Sequence, residues 1–201
     1  MAVDIVYETH ATTTDNEAGL ATGWQPGQLS GPGRREAREL GERRRDDGLR
    51  VVFCSDLARA VQTVEIAFPQ RELPVHRDTR LRECDYGDLT GRPVAELAPL
   101  RVGYLDEPFP GGQSYRQVVE QTRDFLRDLA SAWDGSRVLI VAHSANRWAL
   151  DHLLHGVPLA ELVAAPFDWR PGWTYRLPSG WGTDRPAPAR RQPGQPAPEG
   201  R

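Results

Sequence analysis

The run RVLIVA at residues 137–142 is the strongest strand signal in the chain. Five consecutive apolar residues with no polar alternation need cover on both faces, so this run is expected as a central strand between two layers of helices. Shorter runs of similar character lie at residues 3–7 and 50–54 (RVVFC), with a weak one at 73–76. The alternating stretch 173–177 reads as a late strand at an edge. Helical patterns fall between them. Residues 34–47 carry a thin stripe of Ala37 and Leu40 with Ser30 as a cap. Leu57, Ala60, Val61, Val64 and Phe68 recur at three- and four-residue steps, leaving Arg59 and Thr63 on another face. Val118, Thr122, Phe125, Leu126, Leu129 and Trp133 form the clearest stripe, and a last pattern runs through Trp148, Leu150, Leu153 and Leu154. Strand and helix in alternation predict an α/β fold with helices on both faces of the sheet.

At 201 residues the chain is the size of one compact domain. That domain is expected over residues 1–180. A Pro/Gly-rich stretch, with PFPGG at 108–112, is expected to pass over one end of the sheet as a cap-like excursion at about 85–116. Residues 181–201 have no apolar period and read as a disordered Pro/Arg-rich tail. Composition excludes several classes. The formal charge of -3 gives no electrostatic footprint for nucleic acid. No apolar stretch approaches the ~20 residues of a membrane span, and Met1 opens no signal segment. Cys54 and Cys84 are too few for a disulfide framework. A cytoplasmic, reduced protein is expected.

Three expected strand ends carry polar chemistry: His10 after the first, Ser55 with Arg59 after the second, and His143 after the central one. In an open α/β sheet such ends converge on one crevice. A zinc site would want local ligand pairs, which His10, Glu83 and His143 do not form. VAHSANR around Ser144 lacks the glycines of a nucleophile elbow. Neither a P-loop nor a G-x-G-x-x-G turn is present. What remains is an imidazole nucleophile or base beside cationic donors. Such a set suits a phosphoryl group, whose oxygens need donors and whose phosphorus an unprotonated imidazole can attack.

Several separated motifs, in order, resemble the histidine phosphatase superfamily, the branch that includes cofactor-dependent phosphoglycerate mutase. They are THATT with Asn16, GLATGW at 19–24, LSGPGRREARELG at 29–41, SDLARAVQT at 55–63, LREC-YG--TG across 81–91, PGGQSY at 110–115 and VLIVAHS at 138–144. The resemblance spans roughly residues 3–178. It implies a three-layer, phosphoglycerate mutase-like sandwich with a mostly parallel sheet. It also implies a phosphomonoesterase that works through phosphohistidine, with neither metal nor cofactor. By the same resemblance His10 is the nucleophile, Glu83 the proton donor and then general base, and His143 a ligand of the transferring phosphoryl group. Arg59, Asn16 and the backbone N–H of Ser144 are further phosphate ligands.

The family's signature arginine before the nucleophile is Thr9 here, its glycine is Ala11 and its glutamate Thr12. Losing that guanidinium costs about 2–5 kcal/mol by analogy with buried charged pairs. In rate that is roughly 30- to several-thousand-fold if nothing replaces it. Arg147, one helical turn past His143, and Arg82 are the candidate replacements, with the Thr9 hydroxyl as a weaker one.

Three uses of such a site follow. The first is a phosphatase of a small phosphorylated metabolite, favoured over a mutase because residues 85–116 hold no dense basic cluster. The second is a non-hydrolytic member that binds a phosphorylated or other small ligand, recruited in one variant to acid–base chemistry. The third is a plain interaction protein. The expected partner is a small-molecule phosphate ester, not nucleic acid or membrane, with a homodimer left open. Trp24, Tyr86, Phe109, Tyr115, Trp169 and Trp173 are candidates either for a pocket wall or for the core.

Overall fold

A computed structural model describes residues 1–69 and 73–182. The expected tail, 183–201, lies outside the described residues. The first strand, β1 (Ala2–Thr9), is followed by a one-turn helix α1 (Thr14–Glu17) and by α2 (Gly31–Arg44). Ser30 caps α2 by accepting from the Gly33 N–H, and Pro32 sits in its first turn, where a missing N–H costs nothing. These two signals start α2 three residues earlier than the apolar stripe alone suggests. Then come β2 (Val51–Cys54), α3 (Ala58–Ala67) and β3 (Val75–Arg77).

The excursion contains a 3-10 turn, Gly87–Leu89, a short helix, α4 (Val94–Leu97), and a longer 3-10 segment, Ala98–Tyr104. The long helix α5 (Tyr115–Ala132) starts with a capping box in which Ser114 and Gln117 satisfy each other's backbone N–H. Next are β4 (Arg137–Ala142), α6 (Ser144–His155), α7 (Leu159–Ala164) and β5 (Trp173–Pro178). Gly156, in the left-handed region at φ 71°, closes α6. The six-residue α7 is too short to show a period in the sequence; Pro158 before it is its only signal.

The strand order is β3-β2-β4-β1-β5, so the RVLIVA strand is indeed central. All pairings are parallel except that of β5, which runs antiparallel on the β1 edge. The pleat divides the core. Ile5, Tyr7, Val138 and Ile140 point toward α5 and α6 and pack with Phe125, Leu126 and Leu150. Val6, Leu139 and Val141 point the other way and meet Leu40 and Val64 of α2 and α3. This is the three-layer α/β sandwich expected. The excursion packs as a third cluster, in which Tyr86, Leu97 and Phe109 join Tyr115 and Trp148 above the carboxyl ends of the strands.

Candidate active site

The register of the two central strands builds the site. Thr9 of β1 is paired with Ala142 of β4, and the His10 N–H donates to the Ala142 carbonyl at 2.9 Å. The residues that follow, His10 and His143, therefore leave the sheet side by side. Their ring centroids lie 5.1 Å apart at 57°. Ring nitrogen Nδ1 of His10 is 2.8 Å from the Ala11 carbonyl oxygen, which only an N–H on Nδ1 can satisfy. That fixes the tautomer and makes Nε2 the unprotonated ring nitrogen. It faces Arg59, whose Nε donates to it at 3.2 Å.

Arg59 is buried on the first turn of α3. Its remaining nitrogens donate to the carbonyls of Gly23 (2.8 Å) and Gln25 (3.3 Å), which aim the guanidinium across the cavity. Thr63, one turn on, is also fully buried. Its hydroxyl donates to the Arg59 carbonyl and accepts from the Ala11 N–H, at 2.7 and 3.0 Å. The α3 face that carries Arg59 and Thr63 is thus the wall of the site rather than a wet surface.

The loop after His10 is gripped from below. The Glu36 carboxylate of α2 accepts from the N–H and hydroxyl of Thr12. Gly33 lets α2 come close: a Cβ there would stand 1.8 Å from the Thr12 carbonyl oxygen. Asn16 accepts from the Thr13 N–H and hydroxyl through its carbonyl oxygen, so the capping interaction leaves its amide NH2 for the cavity.

Glu83 comes from the irregular 80–92 segment. The Trp24 indole donates to its backbone carbonyl at 2.6 Å, and the Asn146 amide holds the Arg82 carbonyl beside it. One carboxylate oxygen accepts from the Cys84 N–H and the other from the Ser144 hydroxyl, at 2.8 and 2.9 Å. The Ser144 hydroxyl can turn, donating to a carboxylate or accepting from a carboxylic acid. Ser144 therefore meets Glu83 through its side chain, a contact not read from the sequence, while its backbone N–H opens helix α6.

His10, Glu83, Arg59, Asn16, Thr9 and Ser144 all line one cavity of about 330 Å³. His143 is fully buried directly behind His10, and neither of its ring nitrogens has a hydrogen-bond partner among the described residues. Burial, and then the positive charge of Arg59, push the His10 imidazole down to about 3. The same causes, with His10 added, hold His143 well below the ordinary histidine range. Both rings are neutral near pH 7, each with one N–H and one unprotonated nitrogen.

Two expected replacements for the signature arginine are corrected. Arg147 does not reach the cavity: its guanidinium pairs with Asp151 at 2.8 Å and lies 5.1 Å over the Trp173 ring. On α6 the i,i+4 carboxylate lies on the same face and captures it. Arg82 forms a two-pronged pair with Asp56 and stacks on Trp24. The guanidinium that does join Arg59 in lining the cavity is Arg101, from the 3-10 segment of the excursion. Its Nε is buried without a hydrogen-bond partner among the described residues, and it lies 5.4 Å over the Trp148 ring. Its only sequence signal is that it is one of few cations in that excursion.

The family model for the histidine phosphatase superfamily (branch 1) matches residues 9–169. The chain belongs to this superfamily. Relatives in it include a 2,3-bisphosphoglycerate-dependent phosphoglycerate mutase of Methylobacterium sp. (strain 4-46). It is 33% identical over 169 residues, covering 76% of this chain and 81% of that one. Among solved structures, Bacillus stearothermophilus YhfR superposes with a TM-score of 0.74 at 26% identity, over 85% of this chain and 88% of that one. A mycobacterial glucosyl-3-phosphoglycerate phosphatase, solved in complex with VO3, gives 0.72 at 26% identity, over 81% of this chain and 87% of that one. The superfamily members similar to this chain thus include both a phosphatase and a mutase.

Proposed function

We propose that the protein is a phosphomonoesterase that passes the phosphoryl group of a small phosphorylated metabolite to His10 and then to water. The observation that carries this is the hydrogen bonding of the His10 ring: with Nδ1–H held by Ala11, the unprotonated Nε2 accepts from Arg59 at the wall of the cavity that Glu83 shares. In the first step Nε2 attacks phosphorus, the N–P bond forms and the P–O bond to the alcohol breaks. The departing alkoxide takes a proton from Glu83. In the second step water attacks phosphorus and gives its proton to the Glu83 carboxylate. The N–P bond then breaks and inorganic phosphate leaves.

Charge on the phosphoryl oxygens is met by Arg59, by an N–H of His143 and by the Asn16 amide. Arg101 is the second positive charge facing the cavity and stands in electrostatically for the guanidinium that Thr9 does not supply. With both charges provided by arginine, the reading needs no metal ion. A second reading, binding without hydrolysis, is favoured by the engagement of Arg59 with its own nucleophile and with two backbone carbonyls.

One experiment separates the two. Chelator-treated protein is given a panel of aryl and alkyl phosphate monoesters, and phosphate release is followed. Wild type is expected to turn over, His10→Ala to be inactive, and an alkaline quench to trap phosphohistidine. Tight ligand binding by calorimetry with no phosphate released from any ester would establish the binding-only reading instead.

A further inference from the structure

Around the polar floor, the same cavity has an apolar side made by Leu20, Ala21, Tyr86, Val94, Phe167 and Trp169. The last two belong to the irregular segment between α7 and β5. Phe167 is anchored, with its ring 6.4 Å from Trp148 and 6.0 Å from Trp173. Trp169, two residues on, lines the cavity yet is 57% exposed. A large indole left in water at the rim of a site gains by covering a ligand.

The segment is held by an ion pair that the chemistry at His10 does not use. Glu8, at the end of β1, is a carboxylate only 2% exposed. It accepts from Arg44 Nε and Nη2 at 2.9 and 2.6 Å, and from Arg43 at 3.2 Å. The same Arg44 Nη2 also donates to the carbonyl of Pro171 at 3.1 Å. Gly172 lies against this pair in the left-handed region, at φ +91°; a Cβ there would stand 2.1 Å from Arg44 Nη2 and 3.2 Å from the Glu8 carboxylate. A buried carboxylate needs such partners, and these partners reach out to the segment that carries Trp169.

Resting on the reading of the cavity as a phosphate-ester site, we infer that Phe167 and Trp169 form a leaving-group wall selecting phosphate esters of flat, largely apolar ring alcohols, and that the buried Glu8–Arg44 pair positions that wall. Phosphate would sit at the polar floor and the ring against the indole. Trp169 then determines specificity, while Glu8 and Arg44 are positioning residues.

Calorimetry with two non-hydrolysable probes, phenylphosphonate and methylphosphonate, tests this without relying on turnover. Wild type is expected to prefer the aryl probe by roughly tenfold, the size of a good aromatic contact. Trp169→Ala, at an exposed position, is expected to collapse that preference. Arg44→Lys keeps a charge for Glu8 but loses the fork that reaches Pro171, and is expected to reduce the preference with the protein still folded. Equal binding of the two probes by wild type, or an unchanged ratio in Trp169→Ala, overturns the wall. A full preference in Arg44→Lys overturns the positioning role. Failure of both probes to bind overturns the phosphate-site reading beneath it, a result distinct from equal binding.

Discussion

The ring of His143 stands 5.1 Å from that of His10 because their predecessors, Ala142 and Thr9, are register partners on adjacent parallel strands. The pairing survives only if both strands end in step. A one-residue slip of β4 would turn His143 to the other face of the sheet and remove it from the site. The geometry of the two imidazoles is therefore a property of the sheet, and side-chain contacts only refine it.

Replacing Glu83 by Gln is expected to act selectively. An alkoxide leaving group needs the proton, so hydrolysis of alkyl phosphates should fall by about 10²–10⁴-fold. A nitrophenolate leaves without protonation, so p-nitrophenyl phosphate should suffer far less. Rates for esters of graded leaving-group pKa measure this directly, and equal losses across the series would count against Glu83 as the acid.

The two histidines make the free protein acid-sensitive. Each is held neutral in the folded state below its ordinary range but takes a proton near pH 6.5 when unfolded. Between those limits the unfolded chain binds more protons, so stability falls as pH drops below about 6.5. The slope reaches about 1.4 kcal/mol per pH unit for each group. Thermal unfolding between pH 7 and 5 should show the decline. His143→Gln should flatten it, and vanadate should offset it by balancing Arg59.

Gly33→Ala is expected to damage the site from a distance. The new methyl would meet the Thr12 carbonyl, so α2 must back away from the loop that holds His10. Overpacking of this kind costs about 1–3 kcal/mol. Urea denaturation should show that loss, and phosphate release should slow with it. Gly31→Ala, where a Cβ meets nothing within 4 Å, is the control.

Arg101→Ala removes a cation from the cavity wall while leaving the His10–Arg59 contact in place. About tenfold weaker binding of phosphate or vanadate is expected, the effect of one lost charge-assisted contact. The difference should shrink at high salt if it is electrostatic. Unchanged affinity would show that Arg101 does not serve the phosphoryl group.

Most of the architecture was legible because it rests on period and punctuation. RVLIVA could only be a strand covered on both sides, and Ser30 with Pro32 marks the start of α2. The convergence of His10, Arg59 and Glu83 on one cavity, with His143 against His10, was legible through motifs carried by separate elements. Arg147 was misplaced because spacing along a helix says which residues share a face, not which of them a neighbouring carboxylate has already taken. Arg101 was missed because it lies in a 3-10 segment with no period, where only folding brings it to the cavity. The tie from Glu8 through Arg44 to Pro171 joins three distant parts of the chain, and no local pattern encodes it.

The hydroxyl of Thr63 has a mechanical consequence. It is bonded at once to the loop behind His10 and to the backbone of the arginine opposite. Helix α3 therefore cannot rock without carrying the His10 loop and the backbone of Arg59 in the same direction. The two backbones travel as one part. Adjustment to ligands of different size is therefore expected from the far side of the cleft, where the excursion and the Trp169 segment lie.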